Sequence, residues 1–67
     1  MEKFKINLLN QQVRNEAHLR NLERFTRDDR FREVSFAEQQ LIKRQVEAMG
    51  ALNEIYRQRL RLHGIEC

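Results

Sequence analysis

Residues 35–65, SFAEQQLIKRQVEAMGALNEIYRQRLRLHGI, decide the fold of this chain. Ser35 and Glu38 stand three positions apart at the start of an apolar pattern, which is the spacing of a capping box. In that motif the Ser hydroxyl and the Glu carboxylate each accept a hydrogen bond from a backbone amide that the helix leaves unpaired. The stretch has no proline and is dominated by residue types that favour helix. It predicts one helix over about residues 36–63, roughly 40 Å long at 1.5 Å per residue.

The end of this helix is marked as clearly as its start. Gly64 can take the left-handed conformation that closes many helices. Ile65 would then contact Leu60, the apolar contact that accompanies a Schellman ending. The last two turns also carry basic residues, which favour the negative end of the helix dipole: Arg57, Arg59, Arg61 and His63.

The apolar residues of this second helix cover more of its circumference than one neighbour needs. On a helical wheel they span about 200°, roughly twice the face that a helix buries against a single partner. Gln45 interrupts the arc near its centre, where we expect a buried amide that bonds to a twofold-related copy. Arg59 interrupts it near one edge and is expected to reach solvent or an acidic side chain. The alternative is that both residues belong to a partner-binding surface.

A first helix is predicted over about residues 3–25, with a turn over residues 26–35. At 100° per residue its apolar positions fall into two groups on nearly opposite sides, which indicates two neighbours. Phe31 is the single large apolar residue of the turn and is expected to fold back over the helix ends. The turn also contains Asp28 and Asp29, whose side chains bond nearby backbone amides. The two groups are Ile6, Leu9, Val13 and Ala17, and Phe4, Leu8, Leu19 and Leu22.

Both helices therefore carry more apolar surface than a hairpin buries. The 67 residues form a single domain, residues 1–67, which buries only about 60% of the surface that its unfolded chain exposes. Large apolar side chains gain ~1.5–3 kcal/mol each on full burial, and twofold dimers are the commonest oligomers. We expect an all-α, two-helix antiparallel hairpin that dimerises into a four-helix bundle. The expected dimer interface is Leu41, Ile42, Gln45, Met49, Leu52, Ile55 and Tyr56.

Residues that carry catalysis or bind metals are sparse. His18 and His63 lie 45 positions apart, and neither has a cysteine or second histidine at ligand spacing. Cys67 is the one cysteine, so no disulfide framework is expected and a reducing compartment is favoured. No nucleophile has a histidine and a carboxylate at useful spacing, and no glycine-rich phosphate loop occurs. We expect no enzyme, no cofactor and no metal, with a small ligand between subunits as an alternative.

Membrane association is not expected either. The sequence has neither the apolar run of a signal peptide near its start nor a stretch of about 20 apolar residues. Interfacial helices carry strongly basic polar faces, whereas the polar face of the second helix mixes charges. The sequence therefore predicts a cytoplasmic protein.

The formal net charge of +3 suggests nucleic acid as a partner, but the distribution of charge disfavours it. Residues 14–33 hold six arginines and five acidic residues, and residues 36–56 carry a net charge of −1. Nucleic-acid modules usually line cations along a helix or groove, often with stacking aromatics. A nucleic-acid-associated regulator that uses the basic end of the hairpin is the alternative to a protein-binding module. At that end cations outnumber acids by three: Lys3, Lys5, Arg57, Arg59 and Arg61 against Glu2 and Glu66.

A cluster of arginines beside the turn is the candidate surface for contact with a partner protein. Arginine and aromatic residues anchor many protein interfaces. The alternative is that these arginines are simply solvated. The candidate residues are Arg20, Arg24, Arg27, Arg30 and Phe31.

A phased set of residues runs from the end of the first helix through the second: Phe25, Phe31, EQQLI at 38–42, Gln45, Met49, Ile55, Tyr56, Arg59 and Leu60. In these residues the chain resembles a family of small phage-encoded helical-hairpin proteins, most of them uncharacterised, over about residues 19–60. Leu52 departs from that family, which more often has an aromatic residue there. The resemblance implies a compact dimer, made during infection or lysogeny, that binds and inhibits a host protein in the host cytoplasm. One family member is an anti-quorum-sensing protein, a dimer that inhibits a host transcription regulator.

Overall fold

The computed structural model describes residues 2–65, which form two long helices joined by a short one. Helix α1 runs over Lys3–Thr26, a 3-10 helix over Asp29–Glu33, and helix α2 over Phe36–Leu62. The two α-helices pack against each other along their length, in a molecule of 45 × 16 × 15 Å. The prediction of an all-α fold with two packed helices is confirmed. Neither α-helix is long and apolar enough to cross a membrane.

The contact between the helices defines an antiparallel hairpin. The ring of Phe4 meets that of His63 at one end, with centroids 5.2 Å apart. At mid-length, the side-chain amide of Asn15 donates to the backbone carbonyl of Met49 at 3.0 Å. Leu8 on α1 and Leu60 on α2 are buried between the helices. Of the two predicted apolar groups of α1, the one that contains Leu8 therefore faces α2.

The predicted Schellman motif closes the C-terminal end of α2, and the Ser35 half of the predicted capping box closes its N-terminal end. The Ser35 hydroxyl accepts a hydrogen bond from the backbone amide of Glu38 at 3.1 Å. At the other end Gly64 has a φ of 77°, and its amide donates to the carbonyl of Arg61 at 3.0 Å. The Ile65 amide donates to the carbonyl of Leu60 at 2.9 Å, which completes a Schellman motif.

The connection between the helices folds back on the end of α1. Asp28 caps the 3-10 helix, because its carboxylate accepts a hydrogen bond from the backbone amide of Arg30 at 2.9 Å. The ring of Phe31 is buried and meets that of Phe25 edge-on, with centroids 5.8 Å apart. This aromatic contact closes the hairpin at its turn end.

Candidate functional site

A line of mostly apolar and mostly exposed side chains runs along α2, and we call it the α2 seam. Its members are separated alternately by four and three residues, which is the heptad spacing of helices that pair with another helix. Leu41, Ile55 and Leu62 are 56%, 52% and 84% exposed in the hairpin. The seam consists of Leu41, Gln45, Ala48, Leu52, Ile55, Arg59 and Leu62.

The α2 seam and the face of α2 that contacts α1 lie about 100° apart around the helix axis. The buried residues Ile42, Asn53 and Leu60 mark the face that contacts α1. Helix α1 covers this face and leaves the seam in solvent. The broad apolar arc of α2 is therefore two adjacent faces, of which the hairpin buries one.

The residues predicted to form a dimer interface divide between these two faces. Four of them lie on the α2 seam: Leu41, Gln45, Leu52 and Ile55. Ile42, by contrast, is buried within the hairpin, and Met49 and Tyr56 are half-buried on the same side. Each of these three follows a seam residue by one position. Because successive residues of a helix are rotated by 100°, each side chain points to the face that contacts α1 and not to the seam. The structure therefore assigns Ile42 to the core of the hairpin.

The two polar members of the α2 seam differ in their surroundings. Gln45 is exposed and borders an open groove of about 240 Å³ that His18, Asn21 and Met49 also line. The sequence predicts a buried amide at Gln45, and the single hairpin does not bury it. Arg59 is half-buried and forms no ion pair within residues 2–65.

A polar network that sequence reasoning missed crosses the interface between the helices. Gln12 and Asn53 are both buried, and the Gln12 side-chain nitrogen donates to Asn53 Oδ1 at 3.2 Å. The same nitrogen lies 3.1 Å from a carboxylate oxygen of Glu16. Glu16 in turn binds Arg20 at 3.0 Å and Arg57, on α2, at 3.1 Å. The one signal in the sequence is that Gln12 follows Leu8 by four residues on the face that α1 buries.

The charges of this network act on Glu16. Hydrogen bonds from Arg20 and Gln12, with the positive charges of Arg20 and Arg57, lower the pKa of the Glu16 carboxyl, although partial burial opposes them. The carboxylate is thus held ionised between two guanidinium groups. Such a network fixes the alignment of two helices, because a shift along the axis would leave its buried amides without partners.

The arginines predicted to contact a partner protein do not form one uniform patch. Arg30 binds the carboxylate of Asp28 at 3.1 Å, and this pair lowers the pKa of Asp28 and raises that of Arg30. Arg20 is held by Glu16. Arg24 and Arg27 pair with no carboxylate in the described part of the chain. The ring of Phe31 is buried against Phe25, so it offers no exposed anchor.

The basic residues near the two termini lie at one end of the hairpin, as the antiparallel arrangement requires. Two of them pair with carboxylates, since Arg57 binds Glu16, which it shares with Arg20, and Arg61 binds Glu54 at 3.2 Å. Lys3, Lys5 and Arg59 have no ion pair with any carboxylate that the structure describes. The charge excess seen in the sequence is therefore partly compensated in the fold.

Between residues 2 and 65, no group of three or more His, Cys, Asp or Glu side chains is placed to hold a metal ion. His63 packs against Phe4, and His18 lines the groove beside Gln45. Cys67 lies outside the described residues. A second open groove, of about 350 Å³, is bordered by Thr26, Lys43, Val46 and Glu47.

The main surface features of the hairpin are thus the α2 seam and the exposed arginines of α1. No known protein family, curated protein or solved structure matches this chain.

Proposed function

We propose that this chain works without catalysis, as a homodimer that binds another protein. The α2 seam carries the proposal. It presents apolar side chains at heptad spacing along most of α2, and the hairpin supplies no second helix to cover them. Large apolar side chains gain ~1.5–3 kcal/mol each when fully buried, and this gain favours the pairing of two seams.

Two hairpins joined along their seams by a twofold axis form a four-helix bundle. The two copies of α2 lie at its centre and the two copies of α1 on its flanks, because each α1 contacts its own α2 about 100° away from the seam. Gln45 then becomes a buried amide beside the other copy, where it sets the register as buried polar residues do in coiled coils. Ala48 lets the helices approach closely there.

The partner is proposed to be a host protein that the dimer inhibits, in the cytoplasm of a cell infected by the phage that encodes it. The support for this step is the resemblance of residues 19–60 to small phage-encoded hairpin proteins. A small dimer of this kind acts by covering a surface of its target, which requires a docking face and no catalytic group.

The oligomeric state tests the homodimer directly. Sedimentation equilibrium at micromolar concentration should give twice the chain mass of 8.2 kDa. Ile55→Glu places a charge in the centre of the seam and should reduce the mass to that of one chain. Gln40→Glu adds the same charge on an exposed part of α2 away from the seam and should leave the dimer intact.

Two results would contradict the homodimer. One is a well-folded wild-type species of 8.2 kDa across the concentration range. The other is a dimer that survives Ile55→Glu unchanged. Circular dichroism of Ile55→Glu over a series of concentrations shows whether the variant keeps its helices when it no longer pairs. A helical signal that rises with concentration would indicate that folding depends on pairing, because association increases with concentration.

A nucleic-acid-associated regulator is the second candidate, favoured by the placement of Lys3, Lys5 and Arg59 at one end of the hairpin. Titration with duplex DNA at two salt concentrations distinguishes it from the protein-binding proposal. An affinity that falls steeply with salt would favour nucleic acid, because each neutralised phosphate releases counterions. The pairing of Arg57 and Arg61 with carboxylates makes protein binding the better-supported candidate.

A further inference from the structure

Helix α1 has an exposed face that points away from α2, and we call it the α1 outer face. Its five residues fall within about 60° of one another on a helical wheel, roughly opposite the buried Leu8 and Gln12. From first to last it covers about 27 Å at 1.5 Å per residue. The face consists of Ile6, Val13, Ala17, Arg20 and Arg24.

The α1 outer face changes character along its length. Its first half is apolar, with Ile6 and Val13 each about half exposed. Its second half is basic, with Arg20 and Arg24 both exposed. Arg27 extends the basic half by one turn, and the bond from its Nε to the Glu23 carbonyl leaves its terminal nitrogens available.

The basic half has an excess of positive charge at its surface. Arg24 and Arg27 pair with no carboxylate of residues 2–65. The bond between Arg20 and Glu16 is exposed on the arginine side, and exposed ion pairs of this kind contribute only about 0–1 kcal/mol. Arg20 can therefore exchange Glu16 for the carboxylate of a partner at little cost.

We infer that the α1 outer face docks a helix of another protein that is apolar along one half and acidic along the other. This inference rests on the proposed function and names the chemistry of its partner. Apolar side chains would cover Ile6, Val13 and Ala17, while carboxylates would meet Arg20 and Arg24. Arginine binds carboxylates through two parallel hydrogen bonds, which gives such a contact direction as well as affinity.

A second copy of this chain does not fit the α1 outer face. The α2 seam has the apolar side chains but no carboxylate in its line. Glu47 and Glu54 lie more than 100° around α2 from the seam, so no single face of α2 meets both halves. A contact of seam against outer face would also propagate from copy to copy into a ring or an open chain, which the proposed twofold dimer is not.

A membrane surface fits the face less well than a protein helix. Helices that lie in a membrane interface have an apolar face along their whole length and cations at its edges. Here the apolar and basic parts follow each other along the helix axis. That order matches a partner helix with two chemically different halves.

The test uses designed peptides and the full-length protein. A fluorescein-labelled helical peptide of about 21 residues, close to the length of the face, carries Leu at heptad spacing in one half and Glu in the other. A second peptide has the two halves in reverse order, and a third has Gln in place of each Glu. Fluorescence anisotropy should show saturable binding of one of the first two, and roughly tenfold weaker binding of the Gln peptide.

Variants of the protein should locate the contact. Val13→Glu and the pair Arg20→Glu with Arg24→Glu should each weaken binding about tenfold or more. Lys43→Glu, on the exposed side of α2, is the matched control and should not. A peptide with Arg in place of Glu should bind the doubly substituted protein better than the wild type. This rescue would not follow if the substitutions merely damaged the fold.

Three results would overturn the inference: no binding of either peptide order, equal binding of the Glu and Gln peptides, or binding to phosphatidylserine vesicles with none to the peptides. A separate measurement, the mass of the protein in solution, tests the homodimer. Ile55→Glu should leave peptide binding intact while it changes the mass, because the two faces lie on different helices. A monomeric wild type that binds the acidic peptide would refute the dimer and support the docking face.

Discussion

The side-chain amide of Gln12 on α1 donates a hydrogen bond to Asn53 Oδ1 on α2 at 3.2 Å, in the buried interface between the helices. Both residues interrupt otherwise apolar faces, at 2% and 8% exposure. A buried amide without a partner costs about 1–3 kcal/mol, whereas two apolar residues that replace such a pair can be nearly neutral. The pair therefore favours one alignment of the helices over slipped ones.

Replacement of one member of this pair should be worse than replacement of both. Gln12→Met and Asn53→Leu should each lower the free energy of unfolding by about 1–3 kcal/mol, because each leaves the other amide unpaired. The double variant should lose less than the sum, with a coupling energy of about 0.5–3 kcal/mol. Urea denaturation at one fixed protein concentration measures the cycle. Additive losses would show that the two amides do not depend on each other.

Stability should fall in acid, in part through Glu16. Its pKa in the fold is lowered below the ordinary value of 4.5 by Arg20, Gln12 and Arg57. The unfolded chain therefore takes up a proton first, and the contribution of the carboxylate is full above about pH 4.5 and is lost as the pH falls through the folded pKa. Glu16→Gln should flatten the fall in unfolding free energy between about pH 5 and pH 2.

The control for this pH dependence is Glu47→Gln, at an exposed carboxylate that forms no ion pair with residues 2–65. It should leave the slope close to that of the wild type. Equal slopes for the wild type and the Glu16 variant would contradict the role given to the network.

Substitution of the two glycines by alanine should change the stability of the protein in opposite directions. Gly64 has a φ of 77°, where a side chain is strained, so Gly64→Ala should destabilise the protein by about 1 kcal/mol. Gly50 lies inside α2, and a methyl group there would meet no atom within 4 Å other than the adjacent residues and backbone of its own helix. Gly50→Ala should stabilise by about 1 kcal/mol, since alanine favours helix. Thermal denaturation measures both, and a loss of stability at Gly50 would reveal a close approach by another chain.

Two phenylalanines of the turn region differ in burial, so one can serve as the control for substitution of the other. Phe31 is 7% exposed and packs against Phe25, while Phe36 is 75% exposed. Phe31→Ala should lower the free energy of unfolding by about 3 kcal/mol or more, because it opens a cavity under the turn. Phe36→Ala should change it by less than about 0.5 kcal/mol, as surface substitutions usually do. Comparable losses in chemical denaturation would show that Phe36 is covered in the assembled protein.

The helices and their ends were predictable from the sequence because their causes are local. Ser35 caps α2 through an amide three residues away, and the amides of Gly64 and Ile65 close it through carbonyls three and five residues back. Phe31 was predictable as well, since a single large apolar residue in a charged turn has one place to be buried. Interactions of this range do not depend on how the two helices are rotated against each other.

Only the tertiary structure decided which half of each apolar surface is used inside the hairpin. It placed Ile42 in the core and left its neighbour Leu41 in solvent, and it joined Gln12 to Asn53 across 41 positions of sequence. It also paired Arg57 with Glu16. The reason is that these contacts depend on the rotation and axial alignment of one helix against the other, and a periodic pattern with two suitable faces is compatible with more than one arrangement.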